Sequence, residues 1–204
     1  MFEQHPDAIK WNARYQKQTE AKQELPKPCS LLSQQLHLLP TKPDPAKSSL
    51  DLAAGLGGNA IQMAQLGWDS HAWDISKVGL ASIEKVAESQ GLEVTTKLVD
   101  IEQQKLPTNS FDLIIVSYFL SRELCPAIEA ALKPNGLLYY QTFAWDKISS
   151  AGPSSEPFLL KNNELLTLFP NLTVRFYQHY GSLGDLDIGD RNTIQMVAHK
   201  ATYD

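Results

Sequence analysis

The chain has 204 residues, 43% of them hydrophobic and 20% charged, with a formal net charge of −5. A chain of this size buries one substantial core. Its acidic balance, with no run of lysines or arginines, speaks against a nucleic-acid partner. Its longest apolar stretches, such as Leu113-Ile114-Ile115-Val116, are far too short to span a bilayer. Residues 1–7 lack the charged and apolar segments of a secretion signal. Cys29 and Cys125 have no metal-ligand spacing, so we expect neither a zinc site nor a disulfide framework, and no metal at all. The histidines also show no ligand spacing. A cytoplasmic protein, monomeric or homodimeric and without a membrane partner, is the expectation.

Residues 8–23 read as a polar helix with Ile9, Trp11 and Tyr15 as scattered large side chains. A proline-rich crossing follows, and within it Leu31, Leu32, Leu36 and Leu39 recur at helical spacing, which predicts a short amphipathic helix. Residues 1–47 form an N-terminal helical extension packed on the main domain, which spans 48–204.

From Ser48 onward, strands and helices alternate. Residues 49–53 predict a first strand. Residues 59–66 predict a helix stopped by Gly67, a residue suited to a left-handed cap. Residues 70–73 make a second strand ending at Asp74. Ser76 suits the N-cap of a helix that buries Leu80, Ile83, Val86 and Ala87 and ends at Gly91. Residues 94–99 make a third strand ending at Asp100. Residues 111–117 are a continuous apolar run, the pattern of a central parallel strand. A helix over 123–132 leads to Lys133-Pro134-Asn135-Gly136, a turn sequence, and to a fifth strand over 137–143. The polar stretch 144–158 reads as a loop, and 163–169 as a helix. Residues 174–180 and 193–199 predict an antiparallel pair joined by a polar turn.

The chemistry concentrates in Leu50-Asp51-Leu52-Ala53-Ala54-Gly55-Leu56-Gly57-Gly58-Asn59-Ala60. A buried strand runs into a glycine turn and then a helix. Gly55 and Gly57 let the backbone approach a ligand with no Cβ in the way, and the helix start aims free N–H groups at the same place. Gly55-x-Gly57-x-x-Ala60 also fits the dinucleotide fingerprint. Asp74, at the end of the second strand, holds ribose hydroxyls under either reading. Asp51 separates them. A carboxylate just before the glycines suits the cationic end of an amino-acid ligand and repels a pyrophosphate, although it equally suits capping the amides of the loop. Asp100 and Ile101 offer a polar group and an apolar shelf for an adenine.

The run 50–66 with Asp74, Asp100 and the strand at 111–116 resembles the class I S-adenosylmethionine-dependent methyltransferases. That resemblance covers roughly residues 48–200. It implies an α/β fold: a Rossmann-like three-layer αβα sandwich whose seven-stranded sheet has the order 3-2-1-4-5-7-6, with strand 7 antiparallel. It also implies S-adenosylmethionine as cofactor. Gly55 and Gly57 would pack on its methionine part, with Asn59 beside them. Asp74 would take the ribose, Ile75 the adenine face and Asp100 the adenine amino group. Ser117 would line the pocket near the methyl donor.

Trp11-Asn12-Ala13-Arg14-Tyr15, taken with the glycine run, resembles more narrowly the tellurite-resistance methyltransferases. In those proteins the N-terminal segment closes over the cofactor, which implies a lid carrying Arg14 and Tyr15. Members of that group carry a His-Arg pair after a Gly-x-Leu following the sixth strand. Here Gly181-Ser182-Leu183 is followed by Gly184-Asp185, so the cations that would hold an oxyanion are missing.

The implied function is methyl transfer to a small-molecule acceptor: a thiol, a metalloid oxyanion or an amine. The sulfonium supplies the reactivity and the protein aligns the nucleophile. Tyr15 and Arg122 are the candidate catalytic residues. The rival readings are a non-catalytic S-adenosylmethionine-binding regulatory module and an NAD-dependent oxidoreductase.

Overall fold

The computed structural model describes residues 4–21, 25–40, 43 and 45–202. The last two positions of the helix expected over 8–23 lie outside them. The elements are α1 (Pro6–Ala21), α2 (Ser30–Gln34), β1 (Ser48–Leu52), α3 (Gly58–Gln65), β2 (Asp69–Asp74), α4 (Lys77–Ser89) and β3 (Val94–Leu98). They continue with β4 (Phe111–Ser117), α5 (Cys125–Ala131), β5 (Leu132–Phe143), α6 (Glu164–Leu168), β6 (Thr173–Gln178) and β7 (Thr193–His199).

One seven-stranded sheet has the order β3-β2-β1-β4-β5-β7-β6. β1 pairs in parallel with β2 and β4, β2 with β3, and β4 with β5. β7 runs antiparallel to both β5 and β6. The expected fold is therefore the observed one. The strand order reverses direction at β1 and β4, the switch point where open α/β sheets hold ligands beyond the strand carboxyl ends.

Helices cover both faces. On one face, Leu31 and Leu32 of α2 and Met63 of α3 pack on Leu113, Ile115, Tyr139 and Val197. Beside them Ile61 of α3 and Leu80 and Ile83 of α4 close over Ala72. On the other face, Cys125 and Ile128 of α5 and Leu165 of α6 pack on Leu52, Ile114, Val116 and Tyr140. Burial on both faces explains why β4 reads as an unbroken apolar run, with Leu113 to Val116 fully buried.

The caps follow the sequence. Ser76 Oγ accepts from Gly79 N at 3.1 Å, and Gly67 and Gly91 take φ values of +81° and +63° just beyond α3 and α4. Several boundaries differ from the expected ones, most by one residue, and three need description. α5 starts at Cys125 rather than 123 because residues 122–124 form a turn and Pro126 occupies the first helical turn. β5 starts at Leu132 rather than 137. It pairs Leu132 with Phe111 and then Leu137 with Leu113, so the Pro134-Asn135-Gly136 turn sits inside the strand as a bulge, with Asn135 at φ +63°. β6 ends at Gln178, two residues before the expected Tyr180.

Candidate functional site

β1 delivers a buried carboxylate to the start of the glycine loop. Asp51 is 1% exposed. Its two oxygens accept from Asn59 Nδ2 at 3.1 Å and from Ala60 N at 3.2 Å. Asp51 thus caps the N-terminus of α3, one of the two roles its position allows. Burial pushes its carboxyl up to about 7, and the groups opposing that rise are the neutral Asn59 amide and Ala60 N–H. Asn59 ties three segments together. Its Nδ2 also donates to Ser117 Oγ at the end of β4, at 3.1 Å, and its Oδ1 accepts from Cys29 N at 2.9 Å.

At the end of β2, Asp74 accepts from Gly55 N at 2.8 Å and from Ser76 N at 2.7 Å. It holds the glycine loop against the start of α4. Burial raises its carboxyl also, opposed by backbone N–H groups alone. Two carboxylate oxygens offer about four lone-pair sites, more than these backbone donors fill, which leaves room for a ligand hydroxyl. Ile75 is half-buried beside it.

The loop is tightly enclosed. Ala53, Gly55 and Gly57 have φ of +59°, +58° and +78°. A Cβ on Gly57 would lie 2.3 Å from Ile83 Cγ1, so packing against α4 demands a glycine there. A Cβ on Gly55 would lie 3.0 Å from Tyr15 Oη.

Tyr15 lies on the glycine loop because α1 runs across the carboxyl edge of the sheet. Near its start, His5 Nε2 stands 3.6 Å from Asp100 Oδ2. Asn12 Oδ1 then accepts from Ser76 Oγ at 2.7 Å and from Val78 N at 3.2 Å. Tyr15 follows one turn later. Burial, and then the charge of Asp74, raise the Tyr15 phenol well above its ordinary range, which keeps it a neutral donor. His5 and then α1 thus touch, in order, the segments after β3, β2 and β1.

The structure gathers Asp51, Gly55, Gly57, Asn59, Asp74, Ile75, Ser117 and Tyr15 around one loop, while Asp100 follows β3 and faces His5. Three further expected site residues stand outside that group. Arg14 is exposed, with its guanidinium 5.3 Å from the ring of Trp11 on its own helix. Ile101 is buried in the core with Val99, Leu106 and Phe111 rather than forming an open shelf. Arg122 is a clip: Nε and Nη2 donate to Glu164 at 2.6 and 3.1 Å, and Nη1 and Nη2 donate to the carbonyls of Pro157 and Leu159. Those partners occupy its donor fork.

Other residues at this edge carry no sequence motif. Tyr118, directly after Ser117, has φ +57°, a strained conformation for a bulky residue and one that clusters at functional sites. Gln141 Nε2 donates to its hydroxyl at 3.1 Å. Gln195 is fully buried on β7. A polar residue inside an apolar strand was the one available signal for both glutamines. His179 Nε2 and Asp146 Oδ1 meet at 2.7 Å across 33 residues of chain, a pairing that spacing could not reveal.

Residues 50–136 match the methyltransferase domain family. That match covers less than half of the chain, which is similar over a longer stretch to TehB. Two strains of Haemophilus influenzae have relatives described as probable S-adenosyl-L-methionine-dependent methyltransferase TehB, 28% and 27% identical over 151 residues. That region is 70% of this chain and 51% of each relative, so the chain spans about half their length. The crystal structure of TehB from Haemophilus influenzae superposes with a TM-score of 0.62 at 22% identity, over 76% of this chain and 58% of that one. A SAM-dependent methyltransferase from Aquifex aeolicus gives 0.65 at 14% identity, over 92% and 97%. The [4+2]-cyclase SpnF gives 0.59 at 17%, over 78% and 76%. Because the same fold also carries a cyclase, function has to be argued from the site's residues and not from the architecture alone.

Proposed function

We propose that this chain binds S-adenosylmethionine and transfers its methyl group to a small-molecule acceptor. The observation that carries this reading is Asp51. A buried carboxylate opposed only by neutral donors is a costly feature that a ligand cation relieves. The α-ammonium of the cofactor's methionyl group is such a cation. Asp74 fits the ribose hydroxyls, and the glycine loop with the first N–H groups of α3 fits the methionyl carboxylate.

These residues bind and orient, while the sulfonium supplies the electrophilic methyl group. Asn59 and Ser117 set the floor at the end of β4. α1, with Tyr15 over Gly55, covers the loop and excludes water, the lid role proposed for residues 1–47.

S-adenosylhomocysteine is the probe of choice, since it keeps every group except the methyl. Calorimetric titration should give a saturable isotherm. Asp74→Ala should weaken binding at least tenfold, corresponding to loss of one or two charge-assisted hydrogen bonds worth about 1.5–3 kcal/mol each. Absence of binding to folded protein rejects the reading, and tight NADH binding in its place favours an oxidoreductase.

A further inference from the structure

The acceptor side of the site shows a chemical preference of its own. In register across the sheet, Ser117 pairs with Gln141 and Gln141 with Gln195. This row starts at the residue that Asn59 holds beside the glycine loop and leads away from it. Gln141 accepts from Ser30 Oγ and Leu31 N at 3.1 and 2.8 Å, and donates to Tyr118 Oη. Gln195 Nε2 donates to Asp190 Oδ2 at 3.3 Å and to Ser30 Oγ at 3.2 Å. Asp190 also accepts from Thr193 Oγ1 and Asn192 N. Because Gln195 Nε2 faces a carboxylate, its Oε1 is identified as the other end of the amide. That oxygen is buried and has no donor among the described residues.

The site therefore presents two acceptors, the Asp190 carboxylate and the orphaned Gln195 oxygen, beside the Tyr118 hydroxyl that already accepts from Gln141. The neighbouring guanidiniums are already engaged. Arg191 donates to the carbonyls of Leu183, Asp185 and Ile188, and Arg122 is held by Glu164. An oxyanion would meet a carboxylate there and no guanidinium. The half-exposed Tyr118 ring lies 5.1 Å from that of Phe143, an apolar wall for the body of a substrate.

We infer that Tyr118, Gln141, Asp190 and Gln195 form the methyl-acceptor subsite and that it selects an amine carried on an apolar or aromatic body. This rests on the methyl-transfer reading above. The ammonium form of the substrate first gives one proton to solvent; an N–H group of the free amine then satisfies Gln195 Oε1 and leaves the nitrogen lone pair for the reaction. The lone pair attacks the methyl carbon, an N–C bond forms as the C–S bond breaks, and the C–S electrons stay on sulfur as a neutral thioether. The nitrogen becomes a methylated ammonium, stabilised by Asp190, and then loses a proton to solvent.

The test is release of S-adenosylhomocysteine from S-adenosylmethionine with a matched panel: benzylamine, tryptamine and N-methylbenzylamine against benzyl mercaptan, benzoate, selenite and tellurite. Turnover with amines at least tenfold above the thiol, and none with the anions, is the expected result. Asp190→Asn should lower kcat/KM for the amine at least tenfold while S-adenosylhomocysteine affinity, measured on the same sample, changes less than twofold. That affinity also reports whether the variant is folded. If it is not, Gln195→Met, which keeps the length of the side chain and removes the acceptor oxygen, takes its place with the same expectation. Wild-type protein that binds S-adenosylhomocysteine but turns over no amine overturns the inference. So does preference for thiol or oxyanion, or an unaffected folded variant. Failure of the wild type to bind S-adenosylhomocysteine rejects the cofactor reading beneath it.

Discussion

Asp51 shows how a single residue serves fold and site together. Its carboxyl caps α3, yet burial lifts it from an ordinary 3.8 to about 7. Between those values the folded chain holds a proton that the unfolded chain has lost. Stability from this group is therefore complete below the unfolded value and drains away as the pH rises toward 7. Each unit of difference corresponds to about 1.4 kcal/mol, so the whole effect is on the order of a few kcal/mol. Thermal melts from pH 5 to 8 should show ligand-free wild type losing stability relative to Asp51→Asn. Parallel curves would mean that Asp51 is already ionised in the folded state. S-adenosylhomocysteine affinity should rise over the same interval, because its ammonium binds the ionised form. Asp51, Asp74 and the glycines were legible as a strand-end pattern. Tyr118 was not, because its positive φ is set by the strand and loop around it rather than by residue type.

Among the elements, the packing of α4 on the glycine loop and the lie of α1 across it matter most. At Gly57, Ile83 fills the space that a Cβ needs and φ is +78°. Gly57→Ala should destabilise the chain by about 1–3 kcal/mol through overpacking and backbone strain, measurable in urea as a shifted midpoint at unchanged slope. α1 is different. Ala8 is its one buried residue, and it attaches through Asn12 and Tyr15. Removing residues 1–21 should therefore lower the melting temperature by only a few degrees, about 1 kcal/mol, while weakening S-adenosylhomocysteine binding at least fivefold. A truncated chain that binds as tightly as the full one would show that α1 is no lid. The helices themselves were readable from periodicity and caps. Where α1 docks depended on Asn12 meeting the Ser76 cap, a contact between residues 64 apart.

In the whole molecule, the proposed cofactor half of the sheet edge lies over β1–β3 and the proposed acceptor half over β4–β7. The Arg122–Glu164 clip fastens the segment after β4 to α6 and to the chain near Leu159. Burial pushes the Glu164 carboxyl upward, but Arg122 and Lys161 outweigh it and hold it below its ordinary range. This contribution is lost only as the pH falls through the acid range. Arg122→Ala should cost about 1–3 kcal/mol, at the lower end because both side chains are partly solvated. Arg122→Lys should restore little, since an ammonium cannot span carboxylate and carbonyls together. Both variants should bind S-adenosylhomocysteine like wild type in calorimetry. Loss of binding without loss of stability would instead place Arg122 at the ligand.

Local chemistry sufficed for much of this protein. Apolar runs, helix caps and turn glycines are properties of neighbouring residues, so strand and helix order, the glycine loop and its carboxylates were written in the chain. The resemblance then supplied the strand order that the structure bears out. Tertiary structure decided which polar groups are already satisfied. Arg122 has the sequence of a free cation and the surroundings of a clip. Ile101 reads as a shelf and is core. Gln141, Gln195 and Asp190 come from separate strands and a loop, and converge only because β5 and β7 pair. Hydrogen bonds between residues more than a hundred positions apart, such as Leu31 to Gln141, follow from how the sheet brings its strands together, which residue spacing does not record.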